Sequence, residues 1–486
     1  MRTSDLKVIF LSSEATPYAK TGGLGDVSGA LPREIKKLGV DIQLVLPFYW
    51  SINNKDVQTS LVSTVDIPMG EYRLKAKIHE TVGEGGLAVY LIEREDMYQR
   101  PNLYGGACGD YYDNFERFAF FSLAGLRLCE KLNEDIKIIH CNDWQTGLVP
   151  ALLRGLYSSY PKLSKIKSVF TIHNIGYQGI FPREKLPLTG LNQEEFFHPE
   201  GLEYWGKIST LKAGIVFSDA VTTVSPRYAK EIQSPGYGMG MEGILCAHRN
   251  KLHGILNGVD NNSWDPKKDK YLPATYDVEQ MEEKRVCKER LLQQLRLQKG
   301  TKVPLLCMVT RLDKQKGLDL LLEVMDALMK EELCVVILAS GEKEIEEELR
   351  KTASRYPQKM AFIKGFDEAM AHRIIAGSDI LMMPSRYEPC GLTQMYASKY
   401  GTVPVVRATG GLDDTVQEFD PKSGKGNGFK FRPYEACEFL AALKRALAFY
   451  SDQRQWQRII SNAMKCDFSW RRSAEQYIDL YESLLE

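Results

Sequence analysis

Between residues 304 and 406, short apolar runs alternate with amphipathic stretches in strict turn. The apolar pattern predicts strands at 304–310, 333–339, 360–364, 380–383 and 403–406, and helices at 318–329, 344–354, 368–376 and 392–400. Strands that alternate with helices cannot pair as hairpins, so each connection must cross over and return in the same direction. The result is a parallel, doubly wound α/β sheet. The first half repeats this order less cleanly. It has strands at 7–12, 41–46, 136–139, 168–172, 220–224 and 252–257, and helices at 27–38 and 115–132. Pro32 is expected to kink the first helix or confine it to a short turn. A polar, alternating section from Asn54 to Glu93 reads as antiparallel additions to the first sheet, at 72–78 and 87–92. The glycines of 235–243 make that loop the most mobile-looking part of the first half.

A chain of 486 residues is too long for one core and suits two domains of roughly 200 residues each. Composition shifts after Asn257-Gly258-Val259-Asp260, and a charged helix at 278–298 introduces the second domain. The expected domains are 1–255 and 256–465, with a terminal helical piece at 466–486. The 63 basic and 63 acidic side chains cancel, which removes the case for a nucleic-acid or anionic-membrane surface. Anion binding must then come from small local clusters. Ten cysteines lie between Cys108 and Cys466 with no C-x-x-C pair, and the apolar runs are too short to span a bilayer. These features, with a start lacking a secretory pattern, lead to the expectation of a cytoplasmic protein, or a plastid one if a transit peptide was removed.

In an open α/β sheet, ligands bind at the carboxyl ends of the strands, and polar motifs fall at those ends here. Lys20-Thr-Gly-Gly-Leu-Gly-Asp-Val27 links the first strand to the first helix. Gly22 and Gly23 let backbone N–H groups approach a phosphate, with Lys20 and Asp26 beside them; a tight turn with a solvent-facing lysine is the competing reading. The motif matches neither the G-x-G-x-x-G nor the Walker spacing. Asp143 and Trp144 follow one strand, His173 another, and Asn257 a third. Tyr104 and Tyr112 lie in a loop, where they serve either local packing or as platforms for sugar rings.

In the second half, Arg311 and Lys316 stand between a strand and a helix, where two cations suit a diphosphate. The run Pro384-Ser-Arg-Tyr-Glu-Pro-Cys-Gly-Leu-Thr393 sets Glu388 just before a helix start at Cys390, Gly391, Leu392 and Thr393. There a carboxylate can accept from sugar hydroxyls while the helix start faces a phosphate. An ordinary helix-start carboxylate is the equal alternative when Glu388 is taken alone. The loop Thr409 to Asp414 ends the next strand in the same manner, with an ordinary turn as the competing reading.

Taken together, the Lys20–Val27 opening, His173-Asn-Ile-Gly-Tyr-Gln-Gly179, Leu256-Asn-Gly-Val-Asp260, Arg311 with Lys316-Gly317, and 384–394 resemble the bacterial glycogen synthases and plant starch synthases. The resemblance spans essentially the whole chain. It implies a GT-B fold: two Rossmann-like doubly wound parallel-sheet domains facing an interdomain cleft, with the terminal helix crossing back to the first. The implied reaction is retaining transfer of glucose from ADP-glucose to the non-reducing 4-hydroxyl of an α-1,4-glucan, without a metal or other cofactor. By the same resemblance His173, Arg311, Lys316, Glu388 and Asp143 are catalytic. Lys20, Gly22, Gly23, Asp26, Asn257, Cys390, Gly391, Leu392 and Thr393 bind the donor, and Tyr104, Tyr112 and Trp144 the acceptor.

Two positions depart from the family pattern. Tyr396 stands eight residues after Glu388, where relatives often carry a second glutamate, and Gln145 follows Trp144 where His is more usual. The rival readings are another retaining GT-B enzyme, using UDP-glucose or a small acceptor, and a catalytically silent glucan- or nucleotide-sugar-binding protein.

Overall fold

The computed structural model describes residues 5–53, 55, 57–106, 109–132, 134–297, 300–365 and 367–486. Cys108 and the expected element bounds at Asn54 and Gln298 lie outside them. The chain divides into two compact units, one ending at Gly258 and taking back Trp470–Glu486, the other Val259–Ser469.

The first unit is built on β1 (Lys7–Leu11), β2 (Asp41–Pro47), β3 (Ser60–Met69), β4 (Tyr72–Val82), β5 (Ala88–Glu93), β6 (Ile138–Asn142), β7 (Lys167–Ile172), β8 (Ala220–Thr223) and β9 (Leu252–Gly254). Their spatial order is β9-β8-β7-β6-β1-β2-β5-β4-β3. β5 pairs parallel with β2, and only β4 and β3 run antiparallel beyond it. The 87–92 segment is therefore a parallel member of the sheet, contrary to expectation, and the antiparallel part is a hairpin at one edge. β6 also runs later than its apolar pattern suggests and includes His140, Cys141 and Asn142, because these polar or small residues are buried under other elements.

Helix α1 (Gly23–Lys37) passes straight through Pro32, which corrects the expectation of a short turn. Leu24, Val27, Leu31, Pro32 and Ile35 are all buried, and the burial of this face outweighs the lost amide bond. Helix α2 (Asn114–Lys131) contributes Phe115, Phe118, Phe120 and Phe121 to the core. The terminal helix, Trp470–Ser483, packs on α1 within the first unit. Its Tyr481 hydroxyl lies 2.6 Å from Nδ1 of His140 in β6, and Ser473 donates to the Leu256 carbonyl.

The second unit contains β10 (Leu305–Leu312), β11 (Cys334–Gly341), β12 (Met360–Lys364), β13 (Ile380–Met383), β14 (Val403–Arg407) and β15 (Phe429–Phe431). All pair in parallel, in the order β12-β11-β10-β13-β14-β15. Alternate residues feed opposite faces: Leu306, Val335, Ile337 and Met382 enter one core cluster, and Leu305, Val336, Leu338 and Leu381 the other. A sheet buried on both faces explains why its strands read as unbroken apolar runs.

The expected series stops at 406, but β15 and the helices Ala436–Ser451 and Gln453–Met464 continue it. A three-residue strand after a Gly-rich polar loop carries too little periodicity to be recognised. The loop expected at 409–414 is a short helix, Gly410–Thr415.

Candidate active site

In the first unit the strand β1 runs out into Ser12, Ser13 and Glu14, and Glu14 organises the Gly-rich turn. Its buried carboxylate accepts from the amides of Thr21 (2.6 Å) and Gly22 (3.1 Å), from the Thr21 hydroxyl (2.6 Å) and from the Tyr104 hydroxyl (2.7 Å). The turn amide of Gly22, expected to face a phosphate, is therefore occupied by a side chain of the same unit. No local motif announces Glu14, because its partners lie seven, eight and ninety residues away. The glycine that the packing demands is Gly29, where a Cβ would lie 2.1 Å from Thr16 Oγ1; at Gly22 and Gly23 it would meet open space. Those two positions leave the mouth of the turn uncovered. Lys20 is exposed and donates to Asp26 Oδ1 at 2.6 Å. In water such a pair contributes little and opens readily to another anion.

At the ends of β6 and β7, Asp143 adopts a positive φ of 54° and accepts the His173 amide at 2.7 Å through Oδ1. Asn142 joins them: its Oδ1 lies 2.9 Å from His173 Nε2, and its Nδ2 donates to the Leu11 carbonyl at the end of β1. Three strand ends are thus laced together. Burial pushes His173 down to about 3, so the ring is neutral near pH 7. Burial pushes Asp143 up to about 7, against the His173 and Asn174 amides, which pull it down. Asp143, expected to be catalytic, brackets the His173 backbone and so positions that loop.

Tyr104 and Trp144, expected to present open faces to an acceptor, pack instead in an aromatic cluster. Trp144 lies 5.0 Å from Phe118 and 5.6 Å from Phe181 between ring centroids, and Tyr104 lies 5.9 Å from Phe118. The Tyr104 hydroxyl is committed to Glu14 and Ser13. Both rings are half-buried in this packing, which leaves part of each uncovered. Tyr112 does remain exposed. Gln145 and Asn257 are buried, and the carbonyl oxygen of each side chain has no hydrogen-bond partner among the described residues. Such unsatisfied acceptors in a polar region are candidates for ligand hydroxyls.

In the second unit, the loops after β10, β13 and β14 converge. Arg311 stands exposed at the end of β10, with Asp313 3.7 Å from its guanidinium. Asp313 also caps the single turn Lys314–Lys316 by accepting from the Gln315 amide. Lys316 then reaches across to Glu388, donating to both carboxylate oxygens at 3.0 and 2.8 Å. The Ser385 hydroxyl donates to the same carboxylate at 2.9 Å. The two charges are largely out of solvent, so each requires the other. Lys316, expected at a phosphate, and Glu388, expected at a sugar, are thus held together as one ion pair.

Close backbone approach holds the cradle. Gly317, at φ 70°, lies so near Pro384 that a Cβ would be 2.0 Å from its carbonyl oxygen. The Arg386 amide donates to Gln315 O at 2.7 Å, and the Gly411 amide to Glu388 O at 3.2 Å. Cys390 is buried, and Gly391 takes a left-handed φ of 70° to turn the chain into the helix Thr393–Lys399, which Leu392 caps. Gln394 Nε2 ties this turn together by donating to the Cys390 and Gly391 carbonyls. Arg386 and Arg407 approach Tyr434 at 4.3 and 5.4 Å from the ring centroid, adding positive charge to the same edge of the sheet. Arg311, Lys316 and Arg386 thus each stand beside a carboxylate, Asp313, Glu388 and Asp319 respectively.

Among the described residues no group of three or more His, Cys, Asp or Glu is placed to hold a metal ion, and no helix is long and apolar enough to cross a membrane.

The comparisons with known proteins agree with this geometry. Residues 7–247 match the family described as Starch synthase catalytic domain, and residues 291–465 the one described as Glycosyl transferases group 1. Glycogen synthase from Desulforamulus reducens is 43% identical over 482 residues, covering 99% of both chains. Glycogen synthase from Anaeromyxobacter is 44% identical over 481 residues, again 99% of each. Among solved structures, the catalytic domain of starch synthase IV from Arabidopsis thaliana, bound to ADP and acarbose, superposes with a TM-score of 0.92 at 34% identity, covering 99% of each chain. Sucrose-phosphate synthase from Thermosynechococcus elongatus, at 16% identity and TM-score 0.63 over 99% of each chain, shares the fold. The fold and the comparisons define a glycosyltransferase of the GT-B class. Within that class, the chain belongs to the glycogen and starch synthase family.

Proposed function

We propose that this chain transfers glucose from ADP-glucose to the non-reducing 4-hydroxyl of an α-1,4-glucan, with retention at the anomeric carbon and release of ADP. The observation that carries the reading is the Lys316–Glu388 ion pair with Arg311 beside it. An ammonium has three N–H donors, and the carboxylate takes two, leaving one for a phosphate oxygen. As the bond from the anomeric carbon to the diphosphate breaks, negative charge grows on the departing ADP. Arg311 and Lys316 are positioned to stabilise it without a metal or other cofactor. Neutral His173 spends its single N–H on Asn142 Oδ1, which leaves Nδ1 as an acceptor for a sugar hydroxyl and brings no positive charge toward the anomeric centre. Within the first unit, Lys20 is an exposed cation on a side chain with reach, next to the open mouth at Gly22 and Gly23.

The test is donor competition on glycogen with ADP-glucose against UDP-glucose, following both ADP release and chain lengthening. Elongation with preference for ADP-glucose supports the proposal. Preference for UDP-glucose, or transfer only to small acceptors, replaces it with another retaining transferase. Tight ADP binding without turnover would make the chain a binding protein. We further infer that it works in a reducing interior such as the cytoplasm, in keeping with ten scattered cysteines that show no C-x-x-C spacing.

A further inference from the structure

A small three-stranded sheet in the first unit, Ile180–Phe181, Lys207–Ser209 and Glu203–Tyr204, carries a backbone outlier at its tip. Glu203–Tyr204 and Lys207–Ser209 pair antiparallel across the two-residue turn Trp205–Gly206. Both turn residues have positive φ, 50° at Trp205 and 76° at Gly206. That combination is the type I′ hairpin turn, whose first position favours Asn, Asp or Gly. A bulky residue there is strained. Nor is the strain offset by packing, since Trp205 is 85% exposed.

The surroundings hold the turn firmly. The Gly206 amide donates to Glu203 Oε1 at 2.6 Å. The buried Lys212 ammonium donates to the carbonyls of Glu203 and Pro199. Tyr204 abuts Gly240, where a Cβ would lie 2.3 Å from the phenol oxygen. A rigid support thus projects one indole into solvent, and neither turn chemistry nor the core explains the residue.

What remains is recognition. The flanking residues Gly206 and Lys207 are exposed and not apolar, and the exposed apolar side chain of the same small sheet, Ile180, pairs with Ser209, beyond the strand residues that adjoin the turn. One tryptophan buries at most about 250 Å², far below the roughly 800 Å² per partner of a stable protein interface. It does match one pyranose ring, which offers a flat C–H face with hydroxyls at its rim. We propose that Trp205 is a glucan-binding residue that stacks on a sugar of the polymeric acceptor and takes no part in bond making. This rests on the reading that the chain elongates an α-1,4-glucan.

The test compares Trp205→Asn, a substitution the turn itself favours, with Trp205→Tyr, which keeps a stacking ring. Retardation in native gels containing glycogen, KM for glycogen, kcat with maltotriose, KM for ADP-glucose, thermal midpoint and molar mass are measured. One lost stacking contact predicts a fall in glycogen affinity of about 5–10-fold for the Asn variant, largely restored by Tyr. The kcat and the donor KM should stay within about twofold, and the thermal midpoint should hold or rise. Unchanged glycogen affinity in a folded Asn variant overturns the proposal. So does a change in molar mass alone, which would mark a contact between copies, and so does a wild-type protein that glycogen does not retard. Wild-type protein that is retarded but elongates glycogen with neither ADP- nor UDP-glucose would overturn the catalytic reading and leave the Trp205 contact standing.

Discussion

Lys316 and Glu388, seventy-two residues apart in sequence, meet through both carboxylate oxygens and are the least exposed charges of the second unit's site. Removing one partner leaves the other as a buried, uncompensated charge. Lys316→Ala should therefore destabilise the protein by about 3–5 kcal/mol and lower kcat by roughly 10²–10³. Urea melts and steady-state kinetics check both. A variant of wild-type stability would show that the pair is not a folding element.

Arg311 offers the contrast. It is exposed, so Arg311→Ala should change stability by no more than about 0.5 kcal/mol. Its loss of kcat should still reach roughly 10²–10³ if it stabilises charge on the departing diphosphate. A folded variant with near-normal kcat would remove Arg311 from that role.

Gly317 is required by geometry. Its positive φ and the 2.0 Å approach of a Cβ to the Pro384 carbonyl leave Ala no place without moving one of the two loops that carry Lys316 and Glu388. Gly317→Ala is expected to cost more than about 2 kcal/mol and to weaken ADP binding, read by calorimetry. Unaltered ADP affinity would show that the loops adjust independently.

Asp143 gives stability a pH dependence. Burial raises its carboxyl to about 7 in the folded protein, above the unfolded value of about 3.9. Between about pH 4 and 7 the folded state holds the extra proton, so this residue makes stability fall as pH rises, on the order of 1 kcal/mol per pH unit. His173, pushed down by burial to about 3, acts oppositely, losing stability as pH falls below about 6.5. Asp143→Asn removes the first effect, so the variant should become progressively less stable toward acid relative to wild type. Denaturant melts from pH 4.5 to 7.5 test this, and parallel profiles would count against it.

Much of this molecule was legible locally. The alternation from 304 to 406 dictates a parallel sheet because strand and helix periods are properties of a few neighbouring residues, and the order of the motifs identifies the family on the same footing. The helix through Pro32 was not legible, because a local rule about proline met a buried face made of residues from several elements. Nor was β15, whose three residues form a strand only because β14 offers a paired edge.

The site divides the same way. Sequence alone named Lys20, His173, Arg311, Lys316 and Glu388, through the family resemblance of the motifs that hold them, since type and strand-end position left ordinary structural readings open. Only the tertiary structure decided that Glu14 takes the amides of the Gly-rich turn, that Tyr104 and Trp144 turn to packing, and that Lys316 is matched with Glu388. Each of these depends on which distant groups share a buried space. There an unpaired charge or amide is expensive, and the pairing is settled by the fold as a whole.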